Sequence, residues 1–170
     1  GHYGVSLLND CKYGHSVKDG CIGLTLIKSG IEPNPTTDQE ERFFTYALYP
    51  HAEGWQQAGT VREAYRLNQP ALSVRGGQAG TEYSLASVQP ANVILETVKQ
   101  AEDGNGVIVR LYETENARTE ACLTWNRPIA SVEECNCIEE KQADADFESA
   151  RIPFVIKPYE IKTFRIREKE

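Results

Sequence analysis

Methionine is absent from the sequence, and the opening Gly-His-Tyr-Gly-Val already has a strand-like character. A natural start carries an initiator methionine. The sequence therefore reads as a piece cut from a longer protein, or a mature piece with a remnant tag. No apolar run approaches the roughly 20 residues needed to span a bilayer, and no signal-peptide pattern occurs. A membrane is not an expected partner. An excess of positive charge is lacking too: 25 Asp and Glu stand against 18 Lys and Arg, a net −7. Nucleic-acid binding needs a clustered positive field, so nucleic acid is not an expected partner either.

Metal-binding and nucleophilic signatures are equally scarce. The five cysteines, Cys11, Cys21, Cys122, Cys135 and Cys137, form no C-x-x-C pair. They read as reduced thiols of a cytosolic protein. His2, His15 and His51 lie far apart in sequence, and no cluster has zinc-ligand spacing. No metal ligands are assigned. No G-x-S-x-G elbow exists, and adjacent His15 and Ser16 cannot form a nucleophile–base pair. Cys11 with His15 lacks any mark of a depressed thiol pKa. Carboxylates abound, yet only Asp10 directly follows an apolar strand. Its plain structural role is a strand-end Asx-turn bonded to its own backbone. No catalytic residues are assigned.

What is present is alternation. GVSLLND, CIGLTLIK, FFTYALYP, EYSLASV, NVILETVK, GVIVRLYET, ACLTW and PFVIKPYEIKTFRIR place apolar residues at period two. Pro158 marks a bulge or turn within the last of these. Between them lie SGIEPNPTTDQEE, the glycine loop RGGQAGTE, and AEDGNG, the strongest hairpin signal. QADADFESARIP reads as a surface loop, and acidic EECNCIEE as a solvated face. Only AGTVREAYRLNQP has helical spacing, which predicts one short helix near 60–68 with Thr60 as N-cap and Pro70 beyond its end. Many short strands with frequent turns predict an all-β sandwich or barrel. AEDGNG is either a domain boundary, dividing the chain into 1–102 and 103–170, or a hairpin within one sandwich.

The stretches NDCKYG (9–14), FTYALYPH (44–51), REAYRLNQP (62–70), VILETVKQAEDGNGVIVRLYE (93–113) and the closing PYEIKTFRI resemble the C-terminal region of glycoside hydrolase family 38. They are most similar to its cytosolic and bacterial branch of class II α-mannosidases. The resemblance implies a large galactose-mutarotase-like sandwich, whose later part is 1–102, followed by a small C-terminal β-sandwich at 103–170. It implies a retaining, zinc-dependent enzyme whose zinc ligands and catalytic carboxylates lie in an N-terminal domain. That domain would be the chief partner, an α-mannoside glycan the substrate, and the cytoplasm the location. The fragment alone is expected to be inactive and to hold no cofactor. The NDCKYG turn is the expected pocket wall, with Asn9, Asp10, Lys12 and Tyr13 as substrate-binding residues. Lys28 stands where relatives carry an arginine. The lysine keeps the charge and loses the planar fork. Two other readings remain: a stand-alone carbohydrate-binding module with Trp55 and Trp125 as its platform, and a homo-oligomer joined through aromatic strands.

Overall fold

The computed structural model describes residues 2–76, 80 and 82–169. The glycine loop at 75–82 therefore lies partly outside the described residues. The chain divides into two compact units, Gly1–Arg75 and Gly76–Glu170. Among the described residues no helix is long and apolar enough to cross a membrane.

In the first unit, β1 (Tyr3–Asn9), β2 (His15–Lys18), β3 (Cys21–Leu24), β4 (Tyr46–Ala52) and α1 (Thr60–Asn68) follow in chain order. β1 and β4 pair antiparallel, with Val5 opposite Pro50 and Leu7 opposite Leu48. β2 and β3 form a separate hairpin closed by Asp19-Gly20. Both turn residues have positive φ, as a type I′ turn requires. The β1–β4 ribbon has two unlike faces, because side chains alternate along each strand. One face carries Ser6, Tyr49 and His51. It meets α1, where the Tyr49 hydroxyl donates to Ala58 O at 3.1 Å and Ser6 Oγ lies 2.8 Å from Thr60 Oγ1. The opposite face carries Tyr3, Val5, Tyr46 and Leu48, all exposed.

The helix occupies the predicted span, and its cap differs from the prediction. Gly59, in the left-handed region, is the N-cap, and no side chain caps the helix. Thr60 is instead the first helical residue, and its hydroxyl meets Ser6.

The second unit is a two-layer β-sandwich. Its strands are β5 (Ala86–Gln89), β6 (Val93–Gln100), β7 (Val107–Glu113), β8 (Thr119–Trp125), β9 (Ile129–Cys135), β10 (Lys141–Asp144), β11 (Arg151–Ile156) and β12 (Ile161–Glu168). One sheet has the order β10-β9-β12-β7-β6 and the other β11-β8-β5. Val109, Leu111, Phe164 and Ile166 from the first face Leu123, Trp125, Ile152 and Ile156 from the second. Each such burial contributes roughly 1.5–3 kcal/mol. The Phe154 and Phe164 rings meet edge-on at 5.2 Å.

The structure decides one open alternative and corrects three other sequence expectations. AEDGNG is a hairpin turn, since Val98 pairs with Val109 and Gln100 with Val107 across it. The compact units meet at 75/76, so the chain does not divide at 102/103. QADADFESARIP is not wholly loop: its Gln142–Asp144 end belongs to edge strand β10, paired to β9. EECNC is not simply a solvated face, because Cys135 is buried at the end of β9.

Candidate functional site: the turn after the first strand

β1 brings Leu7 and Leu8 to the edge of the first unit, and the chain then turns sharply. Asn9 makes the turn: its Oδ1 accepts the Lys12 backbone N–H at 2.6 Å. This Asx-type bond, to a backbone N–H three residues on, falls at Asn9 and not at Asp10, where the sequence pattern placed an Asx-turn. Asp10 instead holds the incoming strand. Its backbone N–H donates to Thr45 O at 3.2 Å, and its Oδ2 accepts the Thr45 N–H at 2.9 Å. The Cys11 thiol and the Thr45 N–H both favour the ionised carboxyl and hold Asp10 below its ordinary value. The same contact, with the Asp10 charge, pushes the Cys11 thiol up. Cys11 is therefore a poor nucleophile.

His15 locks the turn from the far side. Its Nδ1 lies 3.0 Å from Tyr13 O, and its Nε2 lies 3.3 Å from Asn9 Nδ2. A carbonyl can only accept, so Nδ1 carries the proton and Nε2 accepts from the Asn9 amide. Asn68, in the last turn of α1, donates from Nδ2 to Asn9 O at 3.1 Å. The helix end thus fixes the strand end.

The five predicted ligand-facing residues separate into three groups. Asn9 and Asp10 are engaged in holding the turn. Lys12 lies with its ammonium 4.8 Å from the Phe44 ring centroid, a cation–π contact, and Tyr13 is 93% exposed at the tip. Lys28 is not brought to this turn by any strand pairing; it is exposed, in the irregular stretch after β3. The turn can therefore offer an ammonium group and a phenol ring on a rigid base. Beside it, Leu7, Ile22, Leu24, Leu26, Tyr46 and Leu48 line an apolar hollow of about 270 Å³. Its one polar side-chain group is the Tyr46 phenol.

Trp125 does not form a binding platform. It is 0% exposed, and its indole N–H donates to Glu168 Oε1 at 2.9 Å. Among the described residues no three His, Cys, Asp or Glu side chains gather as a metal site. Sequence reasoning missed His15 and Thr45 as turn-holding groups. An Asn and a His six residues apart around a glycine were the only available signal.

Comparison with known proteins adds the wider context. The family model described as the glycosyl hydrolases family 38 C-terminal beta sandwich domain matches residues 92–164, and the model of the family 38 C-terminal domain matches residues 1–36. The chain is similar to alpha-mannosidase G of Dictyostelium discoideum, with 36% identity over 96% of this chain and 16% of that protein. It is similar to alpha-mannosidase 2C1 of Mus musculus, with 33% identity over 95% of this chain and 16% of that protein. The alpha-mannosidase of Saccharomyces cerevisiae shares 28% identity over 96% of this chain and 17% of its own length. The chain thus spans about a sixth of the length of the curated relatives it matches. With both family models falling in order along an all-β chain, this protein belongs to glycosyl hydrolase family 38, as a C-terminal region of it.

Proposed function

We propose that this chain is the non-catalytic C-terminal region of a retaining, zinc-dependent α-mannosidase that releases terminal α-linked mannose in the cytoplasm. Its first unit is the later part of a large galactose-mutarotase-like sandwich, and its second is the small terminal sandwich. Its role is to support the N-terminal catalytic domain and to wall the sugar pocket with the Asn9–Gly14 turn. The observation that carries this reading is the match along 95–96% of the chain to proteins named as alpha-mannosidases. The uncovered apolar face of β1 and β4 supports it, because such a face gains free energy only when something packs on it.

In the pocket, Asn9 and Asp10 keep the turn rigid, while Lys12 donates to sugar hydroxyls and Tyr13 stacks on or caps the ring. Lys28 supplies a further charge at a distance from the turn. The zinc and the reacting carboxylates belong to the rest of the enzyme, so this chain holds no proton in flight.

The test uses an aryl α-mannoside with the 170-residue chain and with the complete protein. The complete protein is expected to turn over, and the chain alone is not. In the complete protein, Tyr13→Ala and Lys12→Ala are expected to raise KM by about tenfold each, about 1.4 kcal/mol of lost binding. Turnover by the chain alone would overturn the non-catalytic role. An unchanged KM in both variants would remove the turn from the pocket wall.

A further inference from the structure

The second unit has an open groove of about 610 Å³ at one end of its sandwich. Its size falls within the roughly 300–1,000 Å³ of small-molecule sites. Its lining comes from the β8–β9 turn, the segment before β11, and the end of β12. Phe147 and Pro128 supply an apolar strip, and Asn126, Arg127, Ser149 and Lys169 supply polar groups. Phe147 is 37% exposed, so part of its ring is open to a ligand.

The groove is preformed. Trp125 under it is fixed by Glu168, and its backbone N–H donates to Ala150 O at 2.8 Å. Asn126 donates from its backbone to Leu85 O and from Nδ2 to Ser84 O. Ser149 has φ +54°, in the reverse turn that Glu148 and Arg151 close with two backbone hydrogen bonds. A non-glycine residue held there costs of order 1–3 kcal/mol, which the surrounding pairing sustains.

Charge selects among ligand classes. Arg127 Nη1 already donates to Glu168 Oε2 at 3.2 Å, and that pair neutralises the guanidinium. The contact of Arg127 with the Tyr83 hydroxyl, together with Glu168, holds the guanidinium firmly protonated. Among the described residues no ion pair forms at Lys169, so the groove keeps one ammonium beside neutral groups. It offers a planar set of N–H donors, an ammonium, a hydroxyl and an amide beside an aromatic and a proline surface. A pyranose has the matching pair of surfaces, an apolar C–H face and a rim of hydroxyls that need paired donors and acceptors. We propose that this groove binds a neutral pyranoside as an accessory glycan site. The sugar class rests on the family 38 reading given above, whereas the groove's geometry is independent of it.

The experiment titrates methyl α-mannoside and an α-linked mannobiose into the isotope-labelled 170-residue chain, with amide and side-chain N–H signals followed by NMR. Saturable shifts are expected at Asn126, Arg127, Ser149 and Lys169, with millimolar affinity and tighter binding of the disaccharide. Phe147→Ala and Arg127→Ala are each expected to weaken this at least about tenfold, ~1.4 kcal/mol. Tyr13→Ala is expected to leave it unchanged. No saturable shift at the groove, or shifts confined to residues 9–14, would overturn the site. Binding of an inorganic phosphate or a sugar phosphate without binding of the neutral sugars would overturn the ligand class. Hydrolysis by the complete protein is read separately, so failure of the groove and failure of the enzyme assignment are distinguishable.

Discussion

Glu113 ends β7 as a buried carboxylate, and its donors include Asn92 Nδ2 at 2.9 Å, the Glu115 N–H at 2.7 Å and the Tyr159 N–H at 3.0 Å, with the Ala117 N–H beside them. Burial by itself raises its pKa, but the Tyr159, Asn92 and Glu115 donors outweigh burial and leave it below the ordinary value. A depressed carboxyl adds stability that is complete above the unfolded value of about 4.3 and is lost as pH falls through the folded value. Glu113→Gln sets an amide N–H against those donors. The expected cost near neutral pH is about 1–3 kcal/mol, read from urea unfolding. On acidification the two proteins should converge, because the wild-type carboxyl also becomes neutral. A gap that stays constant across the acid range would show that the ionised form gains nothing from its donors. At this scale the sequence was partly legible. LLNDCKYG announced a turn at the end of a strand. Which of Asn9 and Asp10 would make the Asx bond was not legible, because both side chains can make it. The choice follows from Thr45, thirty-five residues away, which binds Asp10.

The β6–β7 hairpin shows where pattern suffices and where it does not. Alternation in NVILETVK and GVIVRLYET and the Asn-Gly and Asp-Gly steps between them predicted two strands and a turn, and both strands are present. β9 was hidden because its fully buried residues, Ile129, Val132 and Cys135, recur every third position and defeat a period-two search. β10 was hidden because all four of its residues are exposed, so backbone pairing and the Lys141–Glu133 ion pair hold it without any apolar pattern. The groove at the sandwich end was illegible, since its lining comes from three segments that meet only in the fold. Within the hairpin, two glycines with positive φ differ in kind. At Gly106 an added Cβ would lie 2.7 Å from the Ile166 carbonyl on β12, whereas at Gly104 the nearest atom is 4.0 Å away, on the flexible Gln100 side chain. Gly104→Ala should cost only the left-handed strain, about 1 kcal/mol. Gly106→Ala adds a backbone clash and should cost about 3 kcal/mol or more. Urea midpoints of the two variants check this ordering. Equal midpoints would mean that β12 yields freely at Ile166.

At the scale of the whole molecule, the two units differ in how much apolar surface they cover. The second unit buries its large aliphatic and aromatic side chains between two sheets, and its edges are protected by short, charged β10 and by Pro153 in β11. Among the described residues of the first unit Leu8 is the buried hydrophobic one, while Tyr3, Val5, Tyr46 and Leu48 lie bare on one face, Leu48 at 67% exposure. Covering each of these would contribute roughly 1.5–3 kcal/mol. A two-stranded ribbon is marginal in water unless something packs on it, and α1 packs on only one side. Two measurements follow for the 170-residue chain. In hydrogen exchange, amides of β7, β8 and β12 should be the slowest, and those of β1 and β4 should exchange well before them. In light scattering, the chain should self-associate with rising concentration, because the bare face presents Tyr3, Val5, Tyr46 and Leu48 to another copy. Val5→Lys with Leu48→Lys places two charges on that face and leaves its α1 side intact. The double variant should shift the association towards monomer while the slow exchange of β7, β8 and β12 is unchanged. Association that persists in the double variant would place the sticky surface elsewhere. Protection of β1 and β4 equal to that of β12 would mean that the first unit is stable without a cover, and the argument for a supporting role from its bare face would fail.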